Sequence, residues 1–298
     1  MNRFNNKSQR FPQLRMAKPS SVGRTRVQVR AKQTAAGGKA EATAPAMSMQ
    51  RVDLSYGASS PERRSILENI TLDVCEREFL CIVGPSGSGK TTLLRMLAGL
   101  VKPTGGEVRF RGQAISGPSR ERAIIFQDYS KALLPWRTVA GNIALSLEAE
   151  GIRPADQQPI VAELLAKMGL ERAADQFPGQ LSGGMQQRVQ IARCLAQRPK
   201  ILLMDEPFGA LDAMTRQALQ DEILLLSGDQ RMTVVFITHD LEEAIYLGDR
   251  VVVLGDTPAR IIETIDVDLP RPRDQLTTRE DPRFLAHRHR LFGLLRRH

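Results

Sequence analysis

Residues 79–92 read Phe79-Leu80-Cys81-Ile82-Val83-Gly84-Pro85-Ser86-Gly87-Ser88-Gly89-Lys90-Thr91-Thr92. The unbroken apolar run 79–83 predicts a strand buried on both faces. Residues 84–91 fit G-x-x-x-x-G-K-[ST], and Lys90 to Leu100 then read as a helix. Strand, glycine-rich loop, helix is the context in which this pattern binds phosphate. The glycines let backbone N–H groups converge on phosphate oxygens, and the helix N-terminus adds a favourable field for an anion. Lys90 is expected to reach the terminal phosphates of a nucleoside triphosphate, and the Thr91 hydroxyl to ligate Mg²⁺. Gly84, Pro85, Ser86, Gly87, Ser88, Gly89, Lys90, Thr91 and Thr92 are the candidate contacts. The bland alternative is a glycine-rich turn that binds nothing.

Outward from this segment, short apolar runs alternate with helical ones. Residues 123–126, 201–205, 233–237 and 250–254 read as strands. Residues 183–197, 213–226 and 240–247 read as helices. That alternation predicts an α/β fold with a mostly parallel sheet covered on both faces. Residues 139–177 look mainly helical, and the stretch 128–180 interrupts the alternation as an inserted subdomain.

The other candidate residues sit where predicted strands end. Ile201-Leu202-Leu203-Met204-Asp205-Glu206 is an apolar strand closing on two acids. Ligands of open α/β sheets bind at the C-terminal ends of strands. Asp205 is therefore expected to hold Mg²⁺, and Glu206 to polarise an attacking water. His239 follows the strand 233–237 and Gln127 follows the strand 123–126. His239 could touch the γ-phosphate, and Gln127 could sense metal and water. Ser182-Gly183-Gly184 opens a helix: Ser182 is a good N-cap, and the exposed N–H groups beside it make a second anion site.

Composition limits the alternatives. Of 298 residues, 42% are hydrophobic and 25% charged, an ordinary globular balance. No run approaches the roughly 20 apolar residues that cross a bilayer, so any membrane span must come from another chain. The net charge of +9 resides in residues 1–46, which hold ten Lys/Arg against Glu41 alone. The rest is neutral overall, so charge is no argument that the body binds nucleic acid. Residues 1–46 read as a disordered basic extension. They could also be a targeting segment cleaved near Val29-Arg30-Ala31, or sequence upstream of a later start at Met16 or Met47. Residues 266–298 read as a C-terminal tail ending in a basic amphipathic helix near 282–297. Its apolar members are Phe284, Leu285, Leu291, Leu294 and Leu295. Docking on the body is the plain reading, and contact with a membrane surface or partner the other. Cys75, Cys81 and Cys194 show no metal or redox spacing and read as reduced, buried thiols.

The phosphate loop 84–91, Gln127, Leu181-Ser182-Gly183-Gly184-Met185, Asp205-Glu206, Ala210-Leu211-Asp212 and His239 resemble, in order and spacing, the ATP-binding subunit of ABC transporters. The resemblance covers residues 47–265. It implies a P-loop NTPase core of RecA-like type, with an inserted α-helical subdomain (about 128–180) and an antiparallel β part near the N-terminus. ATP and Mg²⁺ are the implied cofactors. The implied assembly is a head-to-tail homodimer, each ATP lying between the phosphate loop of one subunit and Ser182, Gly183 and Gly184 of the other. Asp212 would link the two sites, and Tyr56 would stack on adenine. An integral membrane permease and, indirectly, a solute-binding protein are implied partners, with no nucleic acid. The implied location is the cytoplasmic face of the inner membrane, or a plastid if residues 1–46 are a transit peptide.

Met185 stands where the family often has Gln. With Leu133-Leu134-Pro135-Trp136 and Leu269-Pro270-Arg271-Pro272-Arg273, it resembles the nitrate, sulfonate and taurine importer branch. Trp136 lies where that family's ATPase meets the permease; a local hydrophobic anchor is the other reading. A soluble ABC ATPase acting on nucleic acid or ribosomes remains the alternative function. A generic P-loop kinase would leave 181–185 unexplained.

Overall fold

The computed structural model describes residues 45–57, 64–127, 132–209, 211–229 and 231–296. The basic extension expected at 1–46, except its last two residues, and Ala210 of the segment 210–212 lie outside the described residues.

Strands β3 (Phe79–Val83), β6 (Arg122–Ile125), β7 (Ile201–Asp205), β8 (Thr233–Ile237), β9 (Arg250–Leu254) and β10 (Ile261–Asp266) form a six-stranded sheet in the order β10-β9-β3-β8-β7-β6. Every pairing is parallel except that of β10 with β9. β3, β7 and β8 are buried along their whole length, as unbroken apolar runs require.

The period-2 alternation of β3 divides the core in two. Phe79, Cys81 and Val83 face a core shared with α2 (Val139–Ala149), α4 (Gly183–Ala196), α5 (Ala213–Asp229) and α6 (Leu241–Leu247). Leu80 and Ile82 face the other core, shared with α1 (Lys90–Ala98) and a second sheet. That second sheet is antiparallel: β1 (Met47–Tyr56), β2 (Arg64–Val74), β4 (Gly105–Phe110) and β5 (Gln113–Ala114), in the order β2-β1-β4-β5. Its individual strands are hard to read in the sequence. Register shifts along β1 break the alternation that would mark them.

Between β6 and α4 the chain forms α2, α3 (Pro154–Lys167) and two short 3₁₀ turns, Glu171–Ala173 and Pro178–Gln180. The stretch 139–177 is thus helical in pieces, interrupted where Gly151 and Gly169 take positive φ. At the C-terminus, α7 (Thr277–Glu280) leads into α8 (Pro282–Leu295). Phe284 and Leu291 are buried, and Leu285, Leu294 and Leu295 half-buried, so α8 docks on the body. Arg279 lies over the rings of Tyr246 and Phe284, and Arg288 donates to Glu242 of α6 at 3.0 Å.

One expectation is corrected. Cys81 and Cys194 are buried, and burial raises both thiols, that of Cys194 to about 11. Cys75 is exposed, because it follows the last residue of β2 at the turn into β3.

Candidate functional site

β3 ends at Val83, and the backbone turns at once into the loop 84–89, with Gly87 and Gly89 at φ 79 and 84. An L side chain is strained in that region, so these positions favour glycine. Gly84 is glycine for another reason. A Cβ there would lie 2.8 Å from the Leu254 carbonyl oxygen and 3.1 Å from Ser88 Oγ. Lys90 Nζ donates to the carbonyls of Gly84 (2.9 Å) and Pro85 (2.8 Å). Burial lowers the Lys90 pKa, and the charges of Glu206 and Asp205 work to raise it. Ser88 Oγ is buried with no hydrogen-bond partner. A buried unpaired hydroxyl on a glycine-rich loop is what an oxyanion would satisfy. Thr91 and Thr92 occupy the first turn of α1, both half-buried.

Parallel pairing of β6, β7 and β8 delivers the other candidates to the same end of the sheet. Thr91 Oγ1 donates to Asp205 Oδ1 at 3.0 Å. Asp205 is 5% exposed; burial raises its carboxyl, and the Thr91 hydrogen bond works in the opposite direction. Both are oxygen donors, the ligand type of a hard divalent cation. Glu206 takes φ 44, a strained value for a non-glycine residue, and its N–H donates to Ile237 O at 3.0 Å. That twist turns its side chain away from the path of β7. Gln127 Nε2 donates to Glu206 Oε2 at 3.2 Å, and His239 Nδ1 lies 3.1 Å from the same oxygen. Three residues predicted from three separate strand ends therefore meet on one carboxylate.

The turn that carries His239 is tied down by residues the sequence did not flag. Thr238 Oγ1 donates to Glu243 Oε2 at 2.6 Å, Gln220 Nε2 donates to Glu243 Oε1 at 3.0 Å, and Asp240 N donates to Thr238 Oγ1 at 3.0 Å. Burial pushes the Glu243 carboxyl up, and the Thr238 hydrogen bond pulls it back. Thr257 was also missed. Its hydroxyl donates to Gly87 O at 2.7 Å and steadies the phosphate loop from the β9–β10 turn. A single threonine in a loop carries no signal in the sequence.

Ser182 caps α4, its Oγ accepting from Met185 N at 3.3 Å. Asp212 accepts from Thr215 N at 3.0 Å, and Thr215 holds its carboxyl below the usual range. Among the described residues, no hydrogen bond joins Ser182, Gly183, Gly184 or Asp212 to the phosphate loop, Asp205 or Glu206. Tyr56 ends β1 with 52% of its surface exposed. The structure links the two outlying groups to each other instead. A Cβ on Gly184 would lie 2.5 Å from Thr215 Cγ2, so α4 and the start of α5 pack too closely for any side chain there. Gly184→Ala is expected to cost about 1–3 kcal/mol by overpacking. Each kcal/mol lowers the melting temperature by about 2–4 °C in a domain of this size. Calorimetry checks this, and Thr215→Ser, which removes the clashing methyl, should restore much of the loss. An unchanged melting temperature in Gly184→Ala would refute the close packing.

A glycine-rich loop between strand and helix, with two carboxylates at the end of a parallel strand of the same sheet, defines a P-loop nucleoside triphosphatase. The family described as ABC transporter matches residues 67–209. An uncharacterized ABC transporter ATP-binding protein of Methanocaldococcus jannaschii is 49% identical over 234 residues, covering 78% of this chain and 85% of that one. The chain belongs to the ABC transporter family as an ATP-binding cassette, and it is an ATPase. The bicarbonate transport ATP-binding protein CmpD of Synechocystis sp. is 46% identical, over 74% of this chain and 78% of that one. The nitrate import ATP-binding protein NrtC of the same organism is 44% identical over 82% of this chain, which spans 37% of that longer protein. A solved dimeric bacterial ABC transporter cassette matches with a TM-score of 0.65 at 33% identity, over 74% of this chain and 98% of that one. A dimeric post-hydrolysis cassette holding ADP and phosphate matches with a TM-score of 0.65 at 32% identity, with the same coverage.

Proposed function

We propose that this chain powers a membrane importer for a small solute, an anion such as nitrate, sulfonate, taurine or bicarbonate, as a homodimer that closes on ATP. One observation carries the dimer. The chain holds a full phosphate cradle at 84–91 and a separate anion-ready helix start at Ser182–Gly184, with no bond between them among the described residues. A second copy, placed head to tail, gives each half-site its complement. The dimeric cassettes among similar structures support a dimer. The relatives named for bicarbonate transport and nitrate import support the importer.

In this reading the N–H groups of 84–89, Lys90, Thr91 and Thr92 bind the phosphates, and Tyr56 stacks on the base. Thr91, Asp205 and Gln127 hold Mg²⁺, which when bound neutralises phosphate charge. Gln127 Nε2 and His239 both lie on Glu206 Oε2, which leaves Oε1 without a hydrogen bond among the described residues. Oε1 is therefore the oxygen that orients the attacking water and takes its proton. His239 reports on the γ-phosphate, and Asp212 couples the two sites through the packing of α5 on α4.

No helix among the described residues is long and apolar enough to cross a membrane. The permease therefore supplies the span, with a solute-binding protein upstream of it and the cassette peripheral at the cytoplasmic face. Trp136, 71% exposed between Pro135 and Arg137, is the anchor offered to the permease. Affinity purification of the full chain from its native membranes is expected to recover a polytopic membrane protein, and Trp136→Ala should reduce that yield while ATPase activity of the isolated chain persists. Recovery of ribosomal or nucleic-acid components without a membrane protein would overturn the importer in favour of a soluble ABC ATPase.

A further inference from the structure

Strands β3, β7 and β8 are parallel, so the turns that feed them gather at the edge of the sheet opposite the phosphate loop. Arg77 precedes β3, Arg198 and Lys200 precede β7, and Arg231 precedes β8. A strand of five residues separates the two edges by about 16 Å, so this edge is distinct from the nucleotide site. Here the turns enclose a cavity of about 350 Å³ lined by Glu76, Arg77, Arg111, Arg198, Lys200 and Arg231, among others.

We propose that this cleft binds a small multivalent oxyanion of the phosphate class, clamped by Arg77, Arg198, Lys200 and Arg231. Arg111 Nε donates to Glu76 Oε1 at 2.9 Å, which occupies the lone acid of the lining. Among the described residues, the other four cationic side chains enter no hydrogen bond or ion pair. A concave site with an excess of one sign, walled by protein, focuses its field and draws a counter-ion. Arginine forks match phosphate oxygens two at a time, and lysine adds a point charge.

The backbone fixes the turns from which these exposed side chains project. Arg77, Arg111, Arg198 and Arg231 have φ of 65, 48, 49 and 49. That left-handed region favours glycine or asparagine, yet each turn carries an arginine. Arg77 N donates to Thr233 Oγ1 at 2.8 Å, Arg198 N to Leu195 O at 2.8 Å and Lys200 N to Glu121 O at 2.9 Å. The turns are thus anchored to the rest of the fold, so binding an anion would order side chains and leave the backbone in place. Arg77 and Met232 also line a second cavity of about 590 Å³, whose walls combine Leu224, Leu225 and Pro272 with the carboxylates of Asp221, Asp229 and Asp274.

The test is calorimetric titration of inorganic pyrophosphate into the full chain held in excess ADP, which keeps the phosphate loop filled. The wild type is expected to show one further site. The double variant Arg198→Asn/Arg231→Asn should weaken it at least about tenfold, since each charge-assisted bond lost is worth that much or more. Asparagine tolerates the left-handed backbone, so the variant should keep its ADP affinity and unfolding midpoint. A second arm uses flotation with vesicles of phosphatidylcholine alone or with phosphatidic acid. If the double variant loses vesicle binding as well, the phosphate belongs to a lipid headgroup; if it loses pyrophosphate alone, the ligand is soluble. No further pyrophosphate site in the wild type, or equal affinity in the double variant, overturns the proposal.

Discussion

Glu206→Gln is expected to slow ATP hydrolysis by at least about 10²-fold while leaving nucleotide binding intact. The substitution keeps the size of the side chain and removes its capacity to take a proton. Glu206 sits at φ 44 and carries Gln127 and His239 on one oxygen, so the site is built around this carboxylate. Chemistry and binding should therefore separate in the variant. ATP should then accumulate in the closed state, and a ligand that favours one state shifts the population toward it. Size-exclusion chromatography with light scattering should show a dimer with ATP and Mg²⁺ and a monomer without them. Wild-type turnover in a steady-state phosphate-release assay would remove Glu206 from the proton-taking role. Slow turnover without an ATP-dependent dimer would instead remove the composite site.

Lys90→Ala is expected to weaken ATP and ADP binding by at least about 10²-fold, because hydrogen bonds to a charged group are worth about 1.5–3 kcal/mol each and Lys90 would make more than one. The Lys90 ammonium spans the loop mouth through Gly84 and Pro85, so its loss removes both a phosphate contact and a brace of the loop. Titration of ADP in the calorimeter measures the first, and thermal unfolding without nucleotide measures the second. Nucleotide affinity close to wild type would refute the cradle. A fall in melting temperature with unchanged affinity would mean that Lys90 is a brace only.

The legible parts of the fold were those whose residues speak for themselves. β3, β7, β8 and β9 are short, largely apolar runs, and they lie within the predicted limits. The antiparallel sheet was expected only as a region. Its strands mix buried and exposed positions across irregular register, so no single window carries a clean period. Cys75 was misread for a related reason: free cysteine is usually buried, but this one follows a strand into a turn. The candidate site divides in the same way. Lys90 and Thr91, and Asp205 and Glu206, could be found because the spacing within each of their two segments is chemical information. Thr257, Thr238 and Glu243 could not, because each acts through a partner distant in the chain.

The sequence alone determined that a strand, loop and helix form a phosphate cradle, and that two acids end another apolar strand. These are local matters of spacing, side-chain chemistry and backbone freedom. Only the tertiary structure decided that Gln127, Glu206 and His239 share one carboxylate oxygen, since that depends on β6, β7 and β8 lying side by side. It also decided that Gly184 is required by Thr215, and that four arginine-bearing and lysine-bearing turns face one cleft. Contacts between segments far apart in the chain arise from packing, and packing leaves no periodic trace in either segment.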